Sequence, residues 1–285
     1  MIRAFRVFIF VIFVVSIVSA QDLPQTRGLH PLEADIAGLG RVLYAVSVPD
    51  GYRASVPAPL VVVLHPGGQR SRYYGAEFTR RVVEPALRQL KPIMVAPDCP
   101  ERSWSDAGCE KAVMSLIADA MRAYNIDRKR VLVVGYSMGG HGTWYMASKH
   151  SDMFTAAIPM AASTRDLAID QLGKQPTYII HSRADEVVPF DPADRTARDL
   201  KKLGRAVQFE ALDDFTHFDM AATSTRCSAP DAGSLADGRT ELSGTVDPCD
   251  YLSEWVTRDS PGRLWQQQAH AEPSNWIPGL GAGES

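Results

Sequence analysis

Short apolar runs alternate with amphipathic stretches through the middle of this chain. Continuous apolar runs occur at residues 60–64, 93–96, 131–134, 156–160 and 177–180. Runs of this length are typical of parallel strands whose two faces are both covered by helices. The alternation of such runs with helical patterns predicts an α/β fold, a mostly parallel central sheet with helices on both faces.

Other patterns predict the helices and two flanking strands. Residues 41–48 alternate apolar and polar positions like a half-exposed strand, and residues 207–212 form a late strand. Apolar positions at helical spacing predict helices at 77–90, 113–124, 138–149 and about 192–203. Pro85 should kink the first of these helices or split it in two.

The most informative motif follows the apolar run at 131–134. Residues 135–139 read Gly-Tyr-Ser-Met-Gly, the G-x-S-x-G pattern of a strained strand-to-helix turn that exposes a serine hydroxyl above a sheet. A Cβ at either glycine would clash where the strand and the helix approach each other. The pattern can occur by chance, but the strand before it and the helix after it favour a nucleophilic role for Ser137.

An acid and a histidine follow two later predicted strands. Asp185 precedes His217 in the chain, and the order Ser, Asp, His is the one that this sheet topology imposes on a catalytic triad. We therefore expect Asp185 to orient His217, and His217 to take the proton of Ser137. Asp213 and Asp214 lie close to His217 in sequence and are competing candidates for the acid, although both are also explained as turn formers.

A glycine-containing loop follows the apolar run at 60–64. Its sequence is His-Pro-Gly-Gly, and we expect it to supply one backbone N–H to an oxyanion while Met138 supplies the other. Because proline has no N–H, the loop donor is Gly67 or Gly68; the alternative is that the loop is a plain turn. Four aromatic residues near these loops are candidates for substrate contact, with ordinary packing as the alternative: Tyr73, Tyr74, Trp104 and Tyr136.

The two ends of the chain differ from its middle. Two arginines precede an apolar run at 7–15, and small residues follow it, which predicts a signal peptide over residues 1–20. A membrane anchor is the alternative, but about a dozen apolar residues fall short of the roughly 20 that span a bilayer. We expect a secreted protein, extracellular or periplasmic, with no stable membrane insertion after cleavage. Its catalytic domain would cover 21–260, followed by a loosely ordered tail at 261–285 that is rich in Gly, Pro, Gln and Ser.

Composition narrows the possible partners and cofactors. Four cysteines in an exported chain suggest disulfides, and pairing Cys99 with Cys109 and Cys227 with Cys249 closes two local loops, although Cys99 is also explained as a buried thiol. The net charge of −3 gives no sign of a nucleic-acid surface. We expect no metal and no cofactor, because paired C-x-x-C, HExxH and acidic calcium-loop patterns do not occur in the sequence.

Four segments carry a family resemblance. VVVLHPGG, VGYSMGGHGTWYMA, HSRADEVVPF and DDFTHF resemble the α/β-hydrolase superfamily, over roughly residues 43–218. The chain looks most like the secreted single-domain esterases related to feruloyl esterases and polyhydroxyalkanoate depolymerases, and like prolyl-oligopeptidase-type catalytic domains. The short segment at 161–175 implies an open cleft without a large lid. The resemblance implies these roles: Ser137 as nucleophile, Asp185 as acid, His217 as base, and Met138 with Gly67 or Gly68 as oxyanion donors.

These observations lead to one principal hypothesis. The chain is expected to be a serine carboxylic-ester hydrolase that forms an acyl-enzyme with a small-molecule or polymeric ester and needs no cofactor. A serine peptidase or amidase of the prolyl-oligopeptidase type would use the same three side chains, with the further need to protonate a poor leaving amine. A non-catalytic binding protein on the same fold is the third alternative, although binding alone does not require a strained serine.

Overall fold

An eight-stranded sheet runs through the part of the chain that the computed structural model describes, residues 23–68 and 71–218. Its strands are β1 (Gly28–Ile36), β2 (Gly40–Val48), β3 (Ala58–Leu64), β4 (Ile93–Pro97), β5 (Ile126–Tyr136), β6 (Ala156–Met160), β7 (Thr177–Ser182) and β8 (Val207–Leu212). They lie in the order β1-β2-β4-β3-β5-β6-β7-β8. The strands from β3 to β8 are parallel to one another, whereas β2 pairs antiparallel with both β1 and β4. The predicted mostly parallel α/β sheet is thereby confirmed.

Five α-helices connect these strands within the described residues. They are α1 (Tyr74–Phe78), α2 (Glu84–Leu87), α3 (Ala107–Ala123), α4 (Met138–Lys149) and α5 (Phe190–Lys202). The helix expected over 77–90 is broken, because a π-helical turn at Thr79–Val83 separates α1 from α2 and a 3₁₀ turn at Arg88–Leu90 follows. Pro85 lies in the first turn of α2, where its missing N–H costs no helical hydrogen bond.

Hydrophobic side chains cover both faces of the sheet. Every residue of β3 is buried, and successive side chains point to opposite faces. Leu60 and Leu64 belong to a core layer that includes Leu116 of α3, whereas Val61 belongs to a second layer that includes Leu87 of α2. Because helices bury each face, the strands read as continuous apolar runs in the sequence.

The sequence pattern did not indicate β1. This strand pairs with β2 along its whole length, from Gly28 opposite Val48 to Ile36 opposite Gly40. It lies at the edge of the sheet and most of its residues are only half buried, so apolar residues do not dominate it. Pro31 is tolerated there because an edge strand can leave one side without ladder hydrogen bonds.

One predicted disulfide is present and other predictions fall outside the described residues. Cys99, which follows β4, is bonded to Cys109 in the first turn of α3. Three predictions lie outside the described residues: the signal peptide at 1–20, the tail at 261–285 and the Cys227–Cys249 pair. Among the helices that the structure does describe, none combines the length and the apolar character needed to cross a bilayer.

Candidate active site

The three residues expected to form a triad meet at one edge of the sheet. Ser137 directly follows β5, Asp185 follows β7 and His217 follows β8. These strands are parallel, so their carboxyl ends lie on the same side. This is the edge at which open α/β sheets bind their ligands.

The turn that carries Ser137 is backbone-strained and sterically crowded. Ser137 has φ 53° and ψ −115°, a left-handed conformation that side chains rarely adopt. A Cβ at Gly135 would lie 2.2 Å from the carbonyl oxygen of Gly139, and a Cβ at Gly139 would lie 1.9 Å from that of Leu64. The Ser137 N–H donates to the Met160 carbonyl at 2.9 Å, which ties the turn to β6.

A chain of hydrogen bonds joins the serine to the acid through the imidazole. Ser137 Oγ lies 2.9 Å from His217 Nε2. His217 Nδ1 lies 2.9 Å from Asp185 Oδ2 and 3.0 Å from Oδ1. A carboxylate only accepts hydrogen bonds, so Nδ1 carries the proton and Nε2 is left to accept from the serine hydroxyl. This arrangement can move the serine proton onto an imidazole that faces a negative charge.

The carboxylate of Asp185 is buried and yet remains ionised. Burial raises the pKa of Asp185, but hydrogen bonds from His181 and His217, and from the backbone N–H groups of Val188 and Val187, outweigh burial and hold the pKa well below its ordinary range. The two backbone donors lie 2.7 and 3.0 Å from Oδ1. His181 Nε2 lies 3.4 Å from Oδ2, and sequence reasoning did not assign it this role although it stands four residues before the acid.

Two further hydrogen bonds hold the His217 backbone, and one of them comes from Tyr136. The His217 N–H donates to Glu186 Oε2 at 2.9 Å, and the Tyr136 hydroxyl donates to the His217 carbonyl. Tyr136 was a candidate for substrate contact, but it is buried and its hydroxyl is used in this bond. Its ring centroid lies 5.3 Å from that of His217, so the tyrosine contacts both the backbone and the ring of the histidine.

The glycine loop lies beside the start of α4. A Cβ placed on Gly67 would be 3.5 Å from Met138 Cβ, which shows how closely the loop approaches the residue after the serine. Gly68 has φ 100° and has nothing within 4 Å of an added Cβ. Met138 is the first residue of α4, and the first N–H groups of a helix have no acceptor within the helix.

The other three aromatic candidates differ in their surroundings. Trp104 is fully buried, and its Nε1 donates to the His65 carbonyl at 3.0 Å, so it contacts the first residue of the glycine loop; its substrate contact stays a prediction. Tyr74 packs against the His65 ring with centroids 5.0 Å apart. The Tyr73 hydroxyl lies 3.4 Å from Glu33 Oε1 on β1, several strands away from Ser137 in the sheet order.

His141 is a second histidine near the serine. It lies one turn into α4, and its backbone N–H donates to the Ser137 carbonyl at 2.9 Å. Its ring atom Nδ1 donates to the Ser163 carbonyl at 2.7 Å. Burial lowers the pKa of His141 to about 4, so the ring is neutral at neutral pH.

The two competing candidates for the acid, Asp213 and Asp214, lie at the surface. Asp213 is exposed and accepts a hydrogen bond from Arg183 Nε at 3.0 Å, and Asp214 is also exposed. Neither is bonded to His217 in the way that Asp185 is. Within residues 23–68 and 71–218, no group of three or more His, Cys, Asp or Glu side chains could hold a metal ion.

Comparison with known sequences gives one family and a pair of curated relatives. Residues 96–231 match the Dienelactone hydrolase family. The probable feruloyl esterase C of Aspergillus flavus is 27% identical over 158 residues, covering 52% of this chain and 56% of that protein. The protein of the same name in Aspergillus oryzae matches to the same extent. The chain therefore spans little more than half the length of these curated relatives.

Comparison with solved structures shows the fold. A thermostable esterase has a TM-score of 0.61 at 22% identity, covering 84% of this chain and 62% of its own. A fluorophosphonate-binding serine hydrolase of Staphylococcus aureus has a TM-score of 0.56 at 14% identity, covering 70% of this chain and 97% of its own. A lidless a/b serine hydrolase of Xanthomonas campestris has a TM-score of 0.53 at 17% identity, covering 71% and 94%. The sheet order and these likenesses agree on an α/β-hydrolase fold, and residues 96–231 resemble the Dienelactone hydrolase family.

Proposed function

We propose that this protein is a serine carboxylic-ester hydrolase that works through an acyl-enzyme. The observation that carries the proposal is the unbroken hydrogen-bond chain from Ser137 through His217 to Asp185, with every step at 2.9 to 3.0 Å. A nucleophile and base within hydrogen-bond reach, with the base oriented by a third group, is the general signature of nucleophilic catalysis by a hydroxyl.

The reaction follows from the positions of these three side chains. His217 Nε2 takes the hydroxyl proton while Ser137 Oγ attacks the ester carbonyl, and Asp185 stabilises the imidazolium that forms. The tetrahedral intermediate then breaks its bond to the alcohol oxygen, which leaves with the proton from His217. Water, deprotonated by the same imidazole, attacks the acyl-enzyme and releases the acid and the free serine.

The proposal includes two backbone N–H groups that stabilise the oxyanion. We assign them to Met138, at the start of α4, and to Gly67 in place of the alternative Gly68. The contact distance between Gly67 and Met138 supports this assignment, because two donors to one oxygen must lie side by side. The role of Tyr74 in substrate binding is part of the same proposal, since its ring packs against the loop that carries Gly67.

The substrate class and the cellular location are also proposals. The names of the curated relatives and of the matched family support carboxylic esters, including esters of aromatic acids, as substrates. The leader pattern at 1–20 supports export. The Cys99–Cys109 disulfide agrees with export, because such bonds persist in oxidising compartments.

The test compares the purified protein with its Ser137→Ala variant on a panel of substrates. The panel contains short, long, aromatic and polymeric esters beside peptide anilides. We expect ester turnover that the Ser137→Ala variant lacks and that a control variant at an exposed serine, Ser105→Ala, retains. A preference for anilides would favour the peptidase alternative, and a wild-type protein that turns over none of the panel would contradict the proposal.

A further inference from the structure

The His65 side chain lies between the glycine loop and the loop that follows β4. It directly follows β3 and is completely buried. Its Nδ1 lies 2.7 Å from the Pro66 carbonyl oxygen, and its Nε2 lies 3.0 Å from the Cys99 backbone nitrogen. A carbonyl accepts and an N–H donates, so Nδ1 carries the proton and Nε2 accepts. The neutral ring is therefore used at both nitrogens, once within its own loop and once across to the neighbouring loop.

Two aromatic rings and one further hydrogen bond hold His65 in place. The rings of Tyr74 and Trp104 each have their centroids 5.0 Å from that of His65. The Trp104 Nε1–H also donates to the His65 carbonyl at 3.0 Å, so both the ring and the backbone of this residue are restrained. Gly67 lies only two residues further along the chain. Because few backbone torsions separate it from His65, its position is restrained as well.

The loop that His65 contacts is itself tied at several points. Cys99 is covalently bonded to Cys109 in α3, with their Cα atoms 5.4 Å apart. The N–H groups of Arg102 and Ser103 donate to Asp106 Oδ2 at 3.1 and 2.8 Å. The disulfide and these local hydrogen bonds together restrain the segment that contacts His65.

We propose that His65 is a positioning residue that transmits the rigidity of the disulfide loop to the oxyanion-binding N–H of Gly67. The inference rests on the proposed function, since it concerns the donor that stabilises the tetrahedral intermediate. An oxyanion donor acts only if its N–H is already aimed at the developing charge, within a few tenths of an ångström. The hydrogen bond from the Cys99 N–H to His65 Nε2 fixes the glycine loop relative to β4. The hydrogen bond from His65 Nδ1 to the Pro66 carbonyl lies within the glycine loop, so it does not fix the loop relative to another element.

Two isosteric variants separate these two bonds. His65→Asn retains a donor near the position of Nδ1 but loses the acceptor for Cys99. His65→Gln retains an acceptor near the position of Nε2 but loses the donor to Pro66. We expect kcat on a small ester to fall about 10- to 100-fold in His65→Asn, with KM changed by less than about threefold, because misplacing a catalytic group by about 1 Å costs on this order. We expect His65→Gln to recover most of the lost kcat.

End-point labelling of Ser137 with an alkyl fluorophosphonate distinguishes a failure of the His65 proposal from a failure of the proposed function. Full labelling with reduced kcat shows an intact serine and base with a displaced oxyanion donor, which is the expected result. A wild-type protein with no ester turnover and no labelling contradicts the proposed function itself. The proposed role of His65 is contradicted if His65→Asn has the kcat of the wild type. It is also contradicted if, in both variants, the fraction of labelled molecules falls as much as kcat does.

Two further variants carry the test if His65→Asn does not fold. Trp104→Phe removes the N–H that binds the His65 carbonyl and keeps a smaller aromatic ring beside His65. The Cys99→Ser/Cys109→Ser pair removes the disulfide of the supporting loop. Each should lower kcat several-fold while KM and the labelled fraction stay near wild type. Unchanged kcat in both overturns the proposal.

Discussion

At the scale of single residues, the site depends on a carboxylate that keeps its charge although it is buried. Burial alone would raise the pKa of Asp185, but two imidazoles and two backbone N–H groups donate to its oxygens and lower it. A charged acid in a dry position interacts more strongly with the imidazolium of His217 than an exposed one would. The same four donors explain why Asp213 and Asp214, both exposed, are poor substitutes.

Replacing the acid by its amide tests this account. Asp185→Asn should reduce kcat by up to about 10⁴, because the amide favours the wrong tautomer of His217. Asp213→Asn, which loses only an exposed bond to Arg183, is the matched control and should stay near wild type. Steady-state kinetics of both variants, at temperatures equally far below their melting points, make the comparison. An active Asp185→Asn enzyme would remove this residue from the proposed triad.

The lowered pKa of His141 predicts that the stability of the protein depends on pH. An ordinary imidazole binds a proton below about pH 6.5, whereas burial lowers the pKa of His141 to about 4. Between these values the unfolded chain binds more protons, so the free energy of unfolding increases with pH across this window. His141 contributes at most about 3 kcal/mol to the loss of stability at pH 4.

The variant His141→Asn isolates this contribution. Its amide keeps a donor for the Ser163 carbonyl but does not titrate. Urea denaturation from pH 4 to 7 should show a shallower slope than the wild type between pH 4 and 6.5. The window of Asp185 lies below pH 4, because its lowered pKa leaves that acid ionised above it. Equal slopes in both proteins would show that His141 is already protonated at pH 5.

At the scale of elements, the first turn of α4 is packed against the sheet through glycines. A Cβ at Gly139 would collide with β3, and one at Gly142 would lie 2.3 Å from Trp104 Cβ. Gly140 faces β6, where an added Cβ would lie 2.4 Å from the Met160 carbonyl oxygen. These contacts let the helix approach the strands closely enough to hold Ser137 above the sheet.

The crowding around Gly140 predicts a large effect of one methyl group. Gly140→Ala should lower the free energy of unfolding by about 2 kcal/mol or more, since overpacking against backbone forces the helix to move. Activity should fall further than stability suggests, because the Met160 carbonyl also accepts the Ser137 N–H. Urea denaturation and ester turnover measure the two effects. An alanine accommodated with neither loss would contradict the close packing of α4 on β6.

At the scale of the whole molecule, the site is assembled from segments far apart in the chain. The glycine loop follows β3, the serine follows β5, and the acid and base follow β7 and β8. The parallel order of these strands gathers their carboxyl ends at one edge. The Cys99–Cys109 bond adds a covalent tie between the loop after β4 and α3 on the flank of this edge.

Removing that bond should destabilise the whole domain. The Cys99→Ser/Cys109→Ser variant should lose about 3 kcal/mol of unfolding free energy, because the bond closes a loop of about ten residues in the unfolded chain. Denaturation midpoints of this variant and of the wild type under non-reducing conditions provide the measurement. An unchanged midpoint in the variant would contradict a stabilising role for the Cys99–Cys109 bond. The predicted Cys227–Cys249 pairing is tested separately, by non-reducing peptide mapping.

Much of the fold and the core of the site could be predicted because their signals are local. Continuous apolar runs identify buried parallel strands, and β6 and β8 have the predicted bounds. The turn around Ser137 has a signature because a strained corner admits only glycine beside the serine. The chain order of serine, acid and histidine follows from the sheet topology that the alternation of strands and helices indicates.

The tertiary structure alone decided the features that depend on contacts between distant segments. Trp104 and Tyr136 are buried in the folded chain, and nothing in their local sequence shows this burial. The edge strand β1 could not be predicted from its own sequence, because most of its residues are only half buried and only its pairing with β2 shows that it is a strand. Our proposal of Gly67 as an oxyanion donor likewise rests on the approach of the glycine loop to Met138, which is a contact between distant segments. Hydrophobic periodicity and turn sterics act over a few residues, whereas these contacts are set by the order and packing of strands.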